Sequence, residues 1–127
     1  MEPKILVVED NPETLDIVTI TLEQNGYHVL VAADGLGGLA VALSESPQLI
    51  ITDLKMPAMD GLEMIRELRR QAITRHIPII AMSAYRIEHQ TDAIMAGADR
   101  VLGKPFTPDM LMSFVRSLLT ARSKGSS

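Results

Sequence analysis

The chain has 127 residues, a formal net charge of −4, 46% hydrophobic and 22% charged residues, and neither cysteine nor tryptophan. That length fits one domain able to bury a core without cross-links, while the missing cysteine excludes a disulfide scaffold, thiolate metal sites and a thiol nucleophile. The acidic balance, with only 2 Phe and 2 Tyr, argues against a basic, base-stacking nucleic-acid surface.

Short apolar runs alternate with longer amphipathic ones. Lys4 to Val8 reads as a strand that stops at Glu9-Asp10. Asn11 then offers a helix cap and Pro12 suits the first turn, where its missing N–H costs nothing. Leu15, Val18 and Leu22 recur at helical spacing, and Asn25-Gly26 marks the stop. His28 to Ala32 is a second strand, followed by a small-residue helix from Leu36 to Ser44 that ends before Pro47. Gly37 and Gly38 within it each cost about 1 kcal/mol against Ala, which predicts a short or frayed start. The third strand, Leu49 to Thr52, is closed by Asp53, and a turn-rich stretch from Leu54 to Gly61 leads into the next helix. That helix has Leu62, Ile65 and Leu68 inward and Glu63, Arg66, Glu67, Arg69 and Arg70 outward. Pro78 to Met82 is a fourth strand, Ile87 to Ala96 a helix ending at Gly97, and Arg100 to Gly103 a short fifth strand. Thr107 caps the last helix, with Pro108 at its first position and Leu111, Phe114, Val115 and Leu118 on one face.

Strands apolar on both faces and alternating with helices predict an α/β doubly wound sheet of five parallel strands covered on each side. The expected domain is 1–122, with 123–127 (Ser-Lys-Gly-Ser-Ser) as a flexible tail or linker. No apolar run nears the ~20 residues of a membrane span and no signal-peptide pattern opens the chain, so a cytoplasmic location is expected.

In such a sheet, ligands sit beyond the carboxyl ends of the strands. Glu9 and Asp10 follow strand one, Asp53 strand three, Ser83 strand four and Lys104 strand five. Each has a plain alternative: Asp10, Asp53 and Ser83 could cap helices, Asp60-Gly61 could be a bare turn, and Lys104 could be a solvated strand end. Four unrelated caps seldom converge on four strand ends, however. If strands one and three are neighbours, three carboxylates share one mouth, and a hard divalent ion such as Mg²⁺ relieves their repulsion. Acids, one hydroxyl and one lysine suit a carboxylate nucleophile attacking a phosphoryl group.

Glu9-Asp10-Asn11, Ile51-Thr52-Asp53, Met56-Pro57 with Asp60-Gly61, Met82-Ser83-Ala84, Ala96-Gly97-Ala98 and Lys104-Pro105-Phe106 resemble the receiver domain of two-component response regulators. The resemblance runs from Lys4 to about Leu119 and implies a flavodoxin-like (βα)5 fold with strand order 2-1-3-4-5. It implies that Asp53 is the phosphoacceptor, supplied by the phosphohistidine of a sensor histidine kinase or phosphotransfer protein. It implies Mg²⁺ held by Glu9, Asp10, Asp53 and the Lys55 carbonyl, and Lys104 contacting phosphoryl oxygens through a strand end whose bond to Pro105 is cis. Ser83, with Ala84 beside it, matches the hydroxyl that swings toward the phosphoryl group. Such a protein acts catalytically only on its own aspartate. Phosphorylation would remodel the surface of helix four, strand five and helix five to control a downstream protein or to form a homodimer.

Three features depart from the family pattern. Val101 stands where an aromatic switch residue is common, so Tyr–Ser rotamer coupling cannot operate in its usual form. Tyr85 is the residue that could substitute by moving over the site; Lys55 and Tyr85 flank the path of an attacking water, and Tyr85 is expected to slow hydrolysis. The glycine-rich start of the second helix is the third departure.

Gly35-Leu36-Gly37-Gly38-Leu39-Ala40 also satisfies a dinucleotide-binding fingerprint, with Asp53 18 residues after Gly35. Asp34 puts negative charge where a pyrophosphate would dock, the motif follows the second strand, and too little chain remains for a second nucleotide-binding half. A flavin binder would need a phosphate loop where Glu9-Asp10 stands, and an aspartyl phosphohydrolase would need an acid where Lys55 stands. The main alternative is a degenerate receiver that binds partners without phosphorylation. No DNA-binding or catalytic output domain is expected in these residues, whether the protein is a stand-alone regulator or a receiver cut from a longer chain.

Overall fold

A computed structural model describes residues 2–56, 58–84 and 87–125, with the side chains of 87, 88 and 121–125 left aside. The elements run in order β1 (Lys4–Val8), α1 (Pro12–Gln24), β2 (His28–Ala32), α2 (Gly35–Glu45), β3 (Leu49–Asp53), α3 (Gly61–Arg70), β4 (Ile79–Ala84), α4 (Ile87–Ala96), β5 (Arg100–Lys104) and α5 (Pro108–Gly125). The strands form one parallel sheet in the order β2-β1-β3-β4-β5. This is the flavodoxin-like α/β arrangement, with the switch point between β1 and β3.

Alternation along the strands builds two cores. Leu6 and Val8 of β1, Ile50 of β3 and Ile79 and Ala81 of β4 face α2, α3 and α4, where Ala42, Met64, Ile65, Leu68, Ala93 and Ala96 meet them. Ile5 and Val7, Leu49 and Ile51, and Ile80 and Met82 face α1 and α5, against Val18, Leu22, Leu111 and Val115. Both faces being covered is why β1, β3 and β4 read as unbroken apolar runs. The outer strands β2 and β5 are partly exposed.

The helix starts follow the expected chemistry. Asn11 Oδ1 accepts from Thr14 N–H at 3.0 Å with Pro12 at the first position, and Thr107 Oγ1 accepts from Met110 N–H at 3.1 Å. Asp60, expected as a bare turn residue, also caps a helix, accepting from Glu63 N–H at 2.9 Å.

Three expectations need correction. Helix α2 is neither short nor frayed: Asp34 caps it by accepting from Gly37 N–H at 2.7 Å, and the helix runs eleven residues from Gly35. Gly38 is there for space, since a Cβ would lie 2.8 Å from Met64 Sδ and Val8 Cγ2. Strand β4 runs two residues beyond Met82, because Ser83 and Ala84 register with Gly103 and Lys104. Arg69 is not an outward residue; its side chain is only 22% exposed and bonds across to the α4–β5 turn. Helix α5 runs to Gly125. Among the described residues no helix is long and apolar enough to cross a membrane.

Candidate functional site

The carboxyl ends of β1, β3, β4 and β5 converge on one cleft. Glu9 follows β1 directly and its backbone N–H donates to Ala32 O at 3.0 Å, continuing the β1–β2 ladder by one step. That bond and the neighbouring strands leave Glu9 1% exposed. Asn11 N–H donates to Glu9 Oε2 at 3.2 Å, and Lys104 Nζ donates to Glu9 Oε1 at 3.1 Å. Asp10 points outward, yet a carboxylate oxygen from each of Glu9, Asp10 and Asp53 lies within 4.8 Å of the others.

Asp53 is the last residue of β3 and is partly buried. Leu54 N–H donates to Asp53 Oδ1 at 2.8 Å, and Lys104 Nζ stands 3.4 Å from Asp53 Oδ2. The backbone after Asp53 is closed tightly, with Gly61 N–H donating to Leu54 O at 2.8 Å. A Cβ at Gly61 would lie 2.2 Å from Asp53 O, so only glycine permits this return. Gly35 N–H holds the outer part of the same loop through Met59 O at 3.1 Å.

Three carboxylates against one ammonium leave the cluster two negative charges in excess when all are ionised. Burial raises the Glu9 pKa above its ordinary 4.5, and a hydrogen bond and charge from Asp53 raise it further. The Asn11 N–H and Lys104 oppose that rise. The donors are hard oxygens and the excess equals a divalent charge, so the residues fit Mg²⁺.

Ser83 is 2% exposed and its Oγ donates to Ala84 O at 2.8 Å, so the hydroxyl rests on its own strand. Asp53, Leu54, Lys55, Ser83, Ala84, His89 and Lys104 line a cavity of about 250 Å³. His89, on the first turn of α4, escaped the sequence reading. No spacing rule flags a residue that reaches the cleft only because α4 starts at its rim.

Val101 does not enter this cavity; it packs against the core under α2, α3 and α4. Lys104–Pro105 is cis, as expected, and Pro105 lines a separate groove of about 350 Å³ with Thr14, Ile17 and Phe106. Tyr85 and Pro57 lie outside the described residues. A larger depression of about 480 Å³, at the opposite end of the sheet beside Arg69 and Asp99, brings together none of the four strand-end groups.

A family model for the response regulator receiver domain matches residues 5–116. The chain is 39% identical over 118 residues to the DNA-binding dual master transcriptional regulator RpaA of Synechocystis, covering 92% of this chain and 49% of that protein. It thus spans about half the length of this relative, as it does of two further transcriptional regulators that it matches. Among solved structures, a putative response regulator from Chloroflexus aurantiacus superposes with a TM-score of 0.92 at 28% identity, covering 94% of this chain and 99% of that one. The receiver domain of a Pseudomonas aeruginosa sensor histidine kinase, solved with a magnesium ion coordinated in the active site cleft, gives 0.89 at 30% identity, again covering 94% and 99%.

Proposed function

The chain belongs to the response regulator receiver family, and on that premise we propose that Asp53 accepts a phosphoryl group from a phosphohistidine in a Mg²⁺-dependent reaction. The observation that carries this reading is the convergence of Glu9, Asp10, Asp53 and Lys104 on one cleft, with Lys104 within 3.4 Å of both Glu9 and Asp53.

In the transfer, an Asp53 carboxylate oxygen bonds to phosphorus as the nitrogen–phosphorus bond of the donor breaks and neutral imidazole leaves after taking a proton. The divalent ion, when bound, neutralises developing charge on the phosphoryl oxygens. Glu9, Asp10, Asp53 and the Lys55 carbonyl would hold it. Lys104 supplies the second positive charge from the β5 side, already aimed by its two ion pairs. The Leu54 N–H holds Asp53 Oδ1 and so orients the nucleophile. Ser83 then exchanges its Ala84 carbonyl for a phosphoryl oxygen, drawing the end of β4 toward Asp53.

That motion would alter the surface of α4, β5 and α5, biasing a two-state equilibrium by whatever extra contacts the phosphoryl group makes in one state. The donor is a sensor histidine kinase or phosphotransfer protein, and the recipient of the signal is a protein that reads this surface, a second copy of the chain included.

Intact mass after incubation with acetyl phosphate and Mg²⁺ tests the assignment. One added phosphoryl group on wild type, labile to hydroxylamine and absent from Asp53→Asn, is expected. No addition to wild type would turn the reading toward a receiver that works by binding alone.

A further inference from the structure

We propose that His89 accepts the proton from the water that hydrolyses phosphorylated Asp53, so that the chain carries its own timer for the signalling state; this rests on the assignment of Asp53 above. Helix α4 begins three residues after β4 ends, and His89 on its first turn is half-buried in the wall of the cavity that also holds Asp53 and Lys104. No hydrogen bond or ion pair to a described residue occupies its imidazole.

The other described groups lining the cavity cannot take a proton from water. Lys55 and Lys104 are ammonium groups with donors only, and Lys104 is held by Glu9 and Asp53. Ser83 donates to a backbone carbonyl, Leu54 and Ala84 carry no ionisable side chain, and Asp53 is the esterified group itself. Glu9, bonded to Lys104 and nearly without exposed surface, and Asp10, turned outward beside the proposed metal position, are not among the lining residues. That leaves the imidazole, which has a lone pair at one nitrogen when neutral and serves proton transfer well near neutral pH.

The step balances without a further reactant. The water oxygen attacks phosphorus opposite Asp53, the phosphorus–oxygen bond to Asp53 breaks, and its electrons restore the carboxylate. Inorganic phosphate departs, and the proton lost by water passes to the imidazole and from its exposed side to solvent.

The test follows decay of the added phosphoryl mass after removal of acetyl phosphate, for wild type, His89→Ala and His89→Gln, in H₂O and D₂O. Both variants should hold the group roughly a hundredfold longer, the lower end of the usual range for general-base catalysis. Gln should do no better than Ala, since an amide bonds to water but does not take its proton. The wild-type solvent isotope effect should shrink in both. Equal decay in all three proteins, faster decay in His89→Ala, or wild-type decay in His89→Gln would each overturn the role of His89. A wild type that gains no mass would bring down the Asp53 assignment, and this inference with it.

Discussion

Each end of the sheet carries a partly buried cation, Arg69 at one and Lys104 at the other, and they differ in how fully the charges around them are answered. At the amino end, Arg69 donates from Nε to Gly97 O at 3.0 Å, from Nη1 to Arg75 O at 2.8 Å and Ile77 O at 2.7 Å, and from Nη2 to Asp99 Oδ2 at 2.9 Å. Asp99 Oδ2 also accepts from Ile79 N–H at 2.8 Å, so one guanidinium ties α3, the approach to β4 and the α4–β5 turn together. At the carboxyl end, Lys104 has much the same exposure, 26% against 22%, but answers two of three crowded carboxylates. In the first cluster the guanidinium spends four of its five N–H groups on fixed partners; the second is left short of positive charge. A well-partnered cation and an under-partnered acidic cluster thus stand at opposite ends of the same strands.

The largest effect should come from breaking the Arg69 end. Arg69→Met leaves the carbonyls of Gly97, Arg75 and Ile77 without their donor, at about 1 kcal/mol each and about 3 kcal/mol in all. Urea unfolding measures it; a loss under about 1 kcal/mol would show that water replaces the guanidinium freely. The Lys104 end should respond to ligand instead. At ten times its Kd, Mg²⁺ should stabilise wild type by about 1.4 kcal/mol, read as a rise in Tm, and Arg69→Met should keep that increment because the two ends share no partner. A melting temperature indifferent to Mg²⁺ would mean the acidic trio is no metal site.

Removing one of the crowded charges sharpens the contrast. Asp10→Asn should make the metal-free protein more stable by about 0.5 kcal/mol, the scale of an exposed charge pair, while abolishing the Mg²⁺ increment. A destabilised Asp10→Asn would argue that the carboxylates do not repel. The smallest effect is in pH. Glu9 has its pKa raised by burial and by Asp53, so the folded state holds that proton more tightly than the unfolded one. Its contribution to stability is therefore full below the ordinary carboxylate value of 4.5 and is lost as pH rises through the folded pKa. Without Mg²⁺, the difference between wild type and Glu9→Gln should shift in favour of Glu9→Gln as pH rises from 4.5 toward 7. Urea midpoints measured across that range check it, and a constant difference would mean that burial and Asp53 leave the Glu9 proton no more tightly held than in the unfolded chain.

The sequence shows most clearly what depends on near neighbours. Five apolar runs and the caps at Asn11 and Thr107 can be read directly, and the four strand-end groups are recognisable as a set because parallel topology sends every strand end to the same rim. Residues whose partners are distant mislead a local reading. Arg69 sits four positions after Ile65, on the border of the buried stripe, and its charge assigns it to solvent; nothing local announces carbonyls at Gly97 and Ile77. Gly38 looks like a cost to α2 because its reason, the side chains of Val8 and Met64, lies on other elements. Asp34 looks like a charge set against phosphate when its use is to hold Gly37 N–H. His89 goes unnoticed for the same reason: its neighbours in the cleft belong to β3, β4 and β5.

Helix α4 rests on the sheet through Ala93 and Ala96, while Ile94 at 50% and Met95 at 82% exposure face outward. Each buried methyl contributes on the order of 0.8 kcal/mol, against about 2 kcal/mol for a buried leucine. In mechanical terms, the described part of α4 lies on a smooth bearing: no long side chain is keyed into the sheet to resist a slide. By contrast, α3 is bolted down by Met64, Ile65 and Leu68, all at 0% exposure. A pull at the end of β4 therefore meets little stiffness in the helix beside it and much in the helix beyond, and displacement is channelled into one rod.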